Sequence, residues 1–163
     1  MNAHALIRSQ LRLSLFVLDR YLRDISEEEL LMRPTPQANH AAWQLGHLIE
    51  SHTRQLAALG ARPAELSTEF VAAHVRANAG CDDRGVFRWS KADYLGMLAD
   101  LHGAADALLA GLREEELDAA APESLRGYLP TTGDVLAMIS GHEMMHAGQI
   151  AAIRRALGKP IVI

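Results

Sequence analysis

The sequence predicts an all-α protein, a bundle of four long helices within a single domain covering residues 1–163. Three observations predict this fold. Apolar residues recur with helical spacing in four stretches, proline and glycine interrupt the chain between those stretches, and 49% of the 163 residues are hydrophobic, which is sufficient for one buried core. The net charge of −4 gives no electrostatic reason to expect a nucleic-acid partner.

The first two predicted helices lie in the N-terminal part of the chain. Helix one is expected over residues 3–24 and helix two over residues 39–59, with Asn39 as the N-cap and Gly60 at the C-terminal end. Their helically spaced residues are Leu6, Ile7, Leu11, Leu15, Leu18 and Leu22 in helix one, and Leu45, Leu48, Ile49, His52, Leu56 and Leu59 in helix two. These stripes should face the core of the bundle.

A long connection, residues 60–89, separates helix two from helix three. Residues 69–79 could form a short helix within it, and Phe87 and Trp89 are expected to anchor it to the bundle. A connection of this length indicates a crossover rather than a tight hairpin.

The two remaining helices are predicted over residues 90–112 and 131–158. Ser90 and Asp93 have the spacing of a capping box at the start of helix three, and Gly158 follows helix four. The helically spaced residues of helix four are Val135, Met138, Ile139, His142, Met145, His146, Gln149, Ile150 and Ile153. This stripe includes two histidines and a glutamine on a face that should be buried.

The motif EEEL occurs twice, at Glu27 and at Glu114. Each copy follows a long predicted helix and precedes a proline-containing loop and another long helix. Ser26 and Glu29 add a capping box to the first copy. The repeat suggests two related helix pairs, one duplicated unit.

His142 and His146 are the first candidates for chemistry. Residues four apart on a helix lie on the same face, so their imidazoles can bind one metal ion together. With 8 histidines in the chain, chance gives roughly 0.4 pairs at this spacing. Their position on the apolar stripe adds weight, since unpaired buried polar groups are costly. Two core histidines hydrogen-bonded to neighbours are the alternative.

Glu143 completes the pattern HExxH, in which the glutamate of zinc proteases is the general base. A protease is disfavoured because no further ligand pattern follows His146 and the expected sheet is absent. We interpret Glu143 as a solvated or partner-facing side chain, with orientation of a histidine or a bound water as the alternative.

A useful metal site needs a third ligand, and helix two offers two candidates. His47 follows Gly46, whose missing side chain leaves room for a close approach. His52 lies on the central apolar stripe, which slightly favours it. Spacing and hydrophobic pattern leave this choice open.

The chain resembles the DinB-like superfamily of bacterial four-helix bundles, which includes the YfiT-like proteins. The resemblance is carried by WQLGHL at residues 43–48 and GHEMMHAGQI at residues 141–150. In that family, one histidine of the first motif and two of the second bind a divalent metal. The corresponding residues here are His47, His142 and His146. The resemblance also implies up-down-down-up helix directions, in agreement with the long crossover, and a homodimer.

The resemblance further implies a function. Characterised relatives include metal-dependent transferases that use a low-molecular-weight thiol as a small-molecule substrate. A metal-dependent hydrolase and a non-enzymatic, stress-associated metal-binding protein are the alternatives. Zinc or nickel is the expected cofactor because both suit imidazole ligands. No catalytic residue is assigned beyond the ligands, and Gln149 is expected either to hydrogen-bond a ligand or to pack between helices.

The other reactive side chains give weaker signals. The remaining histidines, His4, His40, His74 and His102, are interpreted as surface or core residues. Cys81 is the only cysteine, so no intrachain disulfide forms, and its acidic neighbours disfavour a thiolate nucleophile. No signal-peptide pattern or membrane-spanning apolar run is present, and a cytoplasmic location without a membrane partner is expected.

Overall fold

The computed structural model describes residues 2–163, which contain six α-helices and three short 3₁₀ helices joined by loops. Met1, part of the predicted domain, lies outside the described residues. The α-helices are α1 (Ala3–Leu22), α2 (Ala41–Ala58), α3 (Thr68–His74), α4 (Lys91–Gly111), α5 (Glu123–Arg126) and α6 (Thr132–Ala156). The all-α prediction is confirmed, whereas the up-down-down-up arrangement stays a prediction.

The four long helices pack against one another through their apolar faces. Helix α1 lies against α6 and α4, and α2 lies against α4 and α6. Fully buried members of the core include Leu18, Leu22, Leu45, Leu48, Ile49, Tyr94, Leu98, Ile150 and Ile153. Each such aliphatic side chain stabilises the fold by about 1.5–3 kcal/mol. Within residues 2–163, every helix is too short or too polar to cross a lipid bilayer.

The prediction of Asn39 as the N-cap of α2 is wrong, because His40 occupies that position. The Nδ1 atom of His40 accepts a hydrogen bond of 3.1 Å from the backbone N–H of Trp43. Its Nε2 lies 2.9 Å from the carbonyl oxygen of Cys81. A buried imidazole can therefore cap the helix and bind the crossover at once.

The other predicted helix ends agree closely with the structure. Helix α4 begins with the Ser90–Asp93 capping box, and Thr131 with Asp134 forms a second capping box at α6. The glycines after α2 and α6 have positive φ angles, +88° at Gly60 and +68° at Gly158. Positive φ is unfavourable for residues with a Cβ, so these glycines end the helices.

Three residues of the predicted stripes are exposed rather than buried. Leu6 is 49% exposed and Met145 is 55% exposed, and Gln149 is also exposed. The buried positions include Ile7, Leu11, Ser14, Leu18 and Leu22 in α1, and Ile139, Glu143, His146, Ile150 and Ile153 in α6. The buried faces are thus rotated slightly from those predicted, and exposure of Gln149 contradicts its proposed packing role.

The crossover between α2 and α4 contains α3 and a 3₁₀ turn at Arg76–Asn78. Phe87 is fully buried, with its ring centroid 4.5 Å from that of His40 and 5.5 Å from that of His74. Trp89 packs edge-on against Phe70 at 4.9 Å. Phe87 therefore anchors the crossover to the start of α2, as predicted, whereas the contact of Trp89 with Phe70 lies within the crossover itself.

Candidate metal centre

Three histidines meet where α2 and α6 pack together. His47 comes from α2, and His142 and His146 come from consecutive turns of α6. One ring nitrogen of each lies within 4.8 Å of those of the other two. The structure therefore brings together the three side chains predicted as metal ligands.

The spacing of these nitrogens suits a divalent metal ion. Zinc binds histidine nitrogens at about 2.0–2.1 Å, so two tetrahedral ligand atoms stand roughly 3.3 Å apart. The Nε2 atoms of His142 and His146 are 3.2 Å apart. A hydrogen bond between these two rings would also explain the distance, but it would not explain why a ring nitrogen of His47 lies within 4.8 Å of both. Three converging imidazoles match the donor preference of zinc and nickel.

Burial keeps all three imidazoles neutral. Desolvation, assisted by the nearby imidazoles, lowers the pKa of His146 to about 3 and that of His142 to about 4. Desolvation also lowers the pKa of His47. A neutral imidazole offers a lone pair to a metal ion, whereas the protonated ring does not. The three rings are therefore ready to coordinate at neutral pH.

Trp43 holds the ring of His47 against the crossover. The two rings are stacked, with centroids 5.1 Å apart and planes 3° from parallel. The indole N–H of Trp43 donates a hydrogen bond of 3.2 Å to the carbonyl of Val75. The indole of Trp43 is thus held by a hydrogen bond to the crossover, and its stacking on His47 restricts the orientation of the imidazole.

His52, the other candidate for the third ligand, is outside the group of three. It is fully buried, and neither ring nitrogen has a hydrogen-bond partner within residues 2–163. Its ring centroid is 5.8 Å from that of His142. The geometry therefore favours His47 over His52 as the ligand from α2.

The interpretation of Glu143 as a solvated side chain is wrong. Glu143 is fully buried and accepts a 2.5 Å hydrogen bond from the hydroxyl of Ser14. Its Oε1 lies 2.7 Å from Nε2 of His102 and 3.5 Å from Nδ1 of His52. The carboxylate thus links α1, α4 and α6 behind the three histidines, so it is not available as a general base.

Sequence reasoning missed this cluster because its members belong to different helices. Ser14 and His102 are separated from Glu143 by 129 and 41 residues. For Ser14 and His102, the only signal in the sequence was a polar residue on a predicted helix. The sequence did not show that Glu143 would be the partner of both. The core interpretation of His102 holds, with Glu143 as its partner.

The space left by the missing side chain of Gly46 is filled by the ring of His74, whereas His47 was the histidine expected to use it. A Cβ at this position would overlap the ring of His74, which lies directly over it. The Nδ1 of His74 lies 2.8 Å from the carbonyl of Phe70, and its Nε2 lies 3.0 Å from the hydroxyl of Tyr94. His74 is therefore a core residue with satisfied nitrogens, and Gly46 allows α3 to approach α2.

A cleft of about 470 Å³ opens beside His47. Its walls combine apolar side chains with charged groups at the rim. It is lined by Trp43, His47, Glu50, Arg54, Val71, His74, Val75 and Arg76. His47 is the member of the three-histidine cluster that lines this cleft, so a small molecule bound there would contact the cluster through His47.

Comparison with known protein families identifies a match that covers most of the chain. A sequence model of the DinB superfamily matches residues 10–150, a range that includes all three clustered histidines. No curated protein sequence matches the chain.

Proposed function

Because the chain belongs to the DinB superfamily, we propose that it binds one divalent metal ion through His47, His142 and His146. The convergence of three ring nitrogens within 4.8 Å of one another supports this proposal most strongly. The 3.2 Å separation of the His142 and His146 Nε2 atoms is close to the spacing that tetrahedral zinc requires. Zinc and nickel are the proposed ions.

We further propose that the protein is an enzyme, a transferase in which a low-molecular-weight thiol loses its proton to solvent and its sulfur displaces a leaving group from an electrophilic small molecule. When bound, zinc or nickel supplies Lewis-acid chemistry that lowers the pKa of a coordinating thiol or water. The cleft supports an enzyme because it would hold a small molecule against His47, one of the three proposed ligands. A hydrolase acting on the same cleft is the alternative within this class.

Each surrounding residue has a defined part in this proposal. His47, His142 and His146 hold the ion, and their burial keeps the lone pairs available. Trp43 restricts the ring of His47 by stacking on it. Val71 and Val75 provide apolar contact for the substrate on the outer wall of the cleft.

A non-enzymatic metal-binding protein is the second candidate function. The observation in its favour is the three-histidine cluster itself, since three ligands that hold an ion need no substrate. Metal binding without turnover of thiol or hydrolase substrates would support this candidate.

Several features of the whole molecule belong to the same proposal. The four long helices run up-down-down-up within a single domain. Two copies of the chain form a homodimer, as in the family that the sequence resembles. A single cysteine is compatible with a reducing, cytoplasmic location. Small molecules are the proposed partners, without a nucleic acid or a membrane.

Metal content of the purified protein, measured by elemental mass spectrometry, tests the metal site directly. Wild-type protein is expected to contain about one zinc or nickel ion per chain, as a three-histidine site would hold. His47→Ala and His142→Ala should lose most of this metal while far-UV circular dichroism still shows a folded helical protein. Absence of metal in the wild type, even after reconstitution at neutral pH, would overturn the proposal.

His52→Leu is the matched control for loss of a buried histidine. It removes a ring whose centroid is 5.8 Å from that of His142 but which lies outside the three-histidine group. Metal content should stay at the wild-type level in this variant. Metal loss in His52→Leu together with retention in His47→Ala would reverse the choice of third ligand.

A further inference from the structure

Gln44 is a buried residue of α2 that contacts one of the three clustered histidines. Its side chain is almost completely inaccessible to solvent. The Oε1 atom of Gln44 lies 3.0 Å from Nδ1 of His146. Its Nε2 atom donates a hydrogen bond of 2.7 Å to the carbonyl oxygen of Asn39. Gln44 therefore joins the start of α2 to a candidate metal ligand on α6.

The backbone carbonyl of Asn39 determines which way the amide of Gln44 points. A carbonyl oxygen only accepts hydrogen bonds, so the NH₂ group of Gln44 has to face it. The reverse orientation would bring two oxygen atoms together at 2.7 Å, the distance now bridged by a hydrogen bond. The oxygen of the Gln44 amide consequently faces His146.

The amide oxygen in turn determines the tautomer of His146. An amide oxygen has no proton to donate, so Nδ1 of His146 carries the proton in this hydrogen bond. A neutral imidazole has one N–H, which leaves Nε2 of His146 with its lone pair free. That atom is the one that lies 3.2 Å from Nε2 of His142, inside the three-histidine cluster.

We propose that Gln44 is a positioning residue that holds His146 as the Nδ1–H tautomer and directs its Nε2 lone pair at the metal ion. This inference rests on the proposed metal site. Hydrogen bonds to the second ring nitrogen orient metal-binding histidines and fix their tautomers. Within residues 2–163, the rings of His47 and His142 have no comparable side-chain partner behind them, so Gln44 holds the one ligand that is fixed in this way.

Metal affinity of three Gln44 and Gln55 variants tests the proposal, with zinc alone as the probe in a competition titration against a chromophoric chelator. Gln44→Met keeps the shape of the side chain but removes the acceptor, and zinc affinity should fall by about 10- to 100-fold. Gln44→Glu keeps an acceptor oxygen toward His146 but sets a second oxygen against the carbonyl of Asn39, so it should recover only part of the affinity that Gln44→Met loses. Gln55→Met is the control, because Gln55 is an equally buried glutamine of α2 whose Oε1 has no hydrogen-bond partner among the described residues.

The tautomer of His146 in the metal-free protein provides a readout that does not depend on metal. In ¹⁵N NMR spectra, His146 should be the Nδ1–H tautomer in the wild type and a mixture of tautomers in Gln44→Met. Unchanged tautomer and unchanged zinc affinity in Gln44→Met would overturn the role of Gln44 and leave the metal site intact. A wild type that binds no zinc would instead overturn the proposed function, and this inference with it.

Discussion

Gly46 shows how one missing side chain determines which helices can touch. The ring of His74 occupies the space where a Cβ of residue 46 would stand. His74 bonds to Phe70 within α3 and to Tyr94 of α4, so this ring connects three helices. Gly46 is adjacent to His47 in the sequence, and the packing of His74 therefore also affects the wall of the cleft.

We predict that Gly46→Ala lowers the free energy of unfolding by about 1–3 kcal/mol, the usual cost of overpacking a core. Urea denaturation followed by circular dichroism measures this change. Gly96→Ala is the matched control, because Gly96 lies on an exposed face of α4 with open space around its Cβ position. That variant should be stabilised by up to about 1 kcal/mol through helix propensity. Equal stability of the two variants would contradict the close packing of His74.

At the scale of elements, the two EEEL motifs adopt the same local structure. They form 3₁₀ helices at Glu29–Leu31 and Glu114–Asp118, each after a long helix. The backbone N–H of Ser26 donates to Glu29, and the backbone N–H of Arg113 donates to Glu116. Leu30 and Leu117, the last residues of the motifs, are both buried. This likeness agrees with the suggested duplication of a helix pair.

The crossover between α2 and α4 is the element that distinguishes the two halves. It carries α3, supplies His74 and Val75 to the cleft, and is attached to the bundle through aromatic contacts. Phe87 lies at the centre of this attachment, between His40 and His74. Part of the cleft wall is thus formed by a connection that contains only short helices.

We predict that Phe87→Ala lowers the free energy of unfolding by about 3–5 kcal/mol, as expected for truncation of a fully buried phenylalanine. Phe16→Ala is the control, since Phe16 is about half exposed on α1 and its loss should cost no more than about 1 kcal/mol. Thermal and urea denaturation of both variants measure the difference. A small effect in Phe87→Ala would mean that the crossover is not anchored by this side chain.

At the scale of the whole molecule, buried histidines make the stability of the metal-free protein depend on pH. Desolvation lowers the pKa of His74 from 6.5 to about 4, and the pKa values of His40, His47 and His52 are lowered as well. Between pH 6.5 and 4, the unfolded chain binds protons that the folded chain does not. Stability is therefore complete above about pH 6.5 and decreases as the pH falls toward 4.

We predict that His74 alone accounts for a loss of about 2 kcal/mol in the free energy of unfolding between pH 7 and pH 4.5. Urea denaturation of metal-free protein at both pH values measures the total loss. The variant His74→Leu lacks the titrating ring, so its loss over the same interval should be smaller by about this amount. An identical pH dependence in wild type and variant would show that His74 is not held neutral in the folded protein.

The sequence by itself determined the four long helices, most of their ends and the pairing of His142 with His146. Apolar periodicity located the four long helices, and cap residues such as Ser90 and Thr131 marked where two of them begin. These features depend on neighbours within a few residues, which the sequence shows directly. The spacing of His142 and His146 on one helix face belongs to the same class of information.

Only the tertiary structure decided how the helices are rotated against one another. Periodicity gives the angle of a residue around its own helix, but the position of the buried face is set by packing against the other helices. A small rotation placed Glu143 in the core beside Ser14 and His102 and left Met145 exposed. The same packing grouped His47 rather than His52 with the histidines of α6, because contacts between distant parts of the chain leave no local pattern in the sequence.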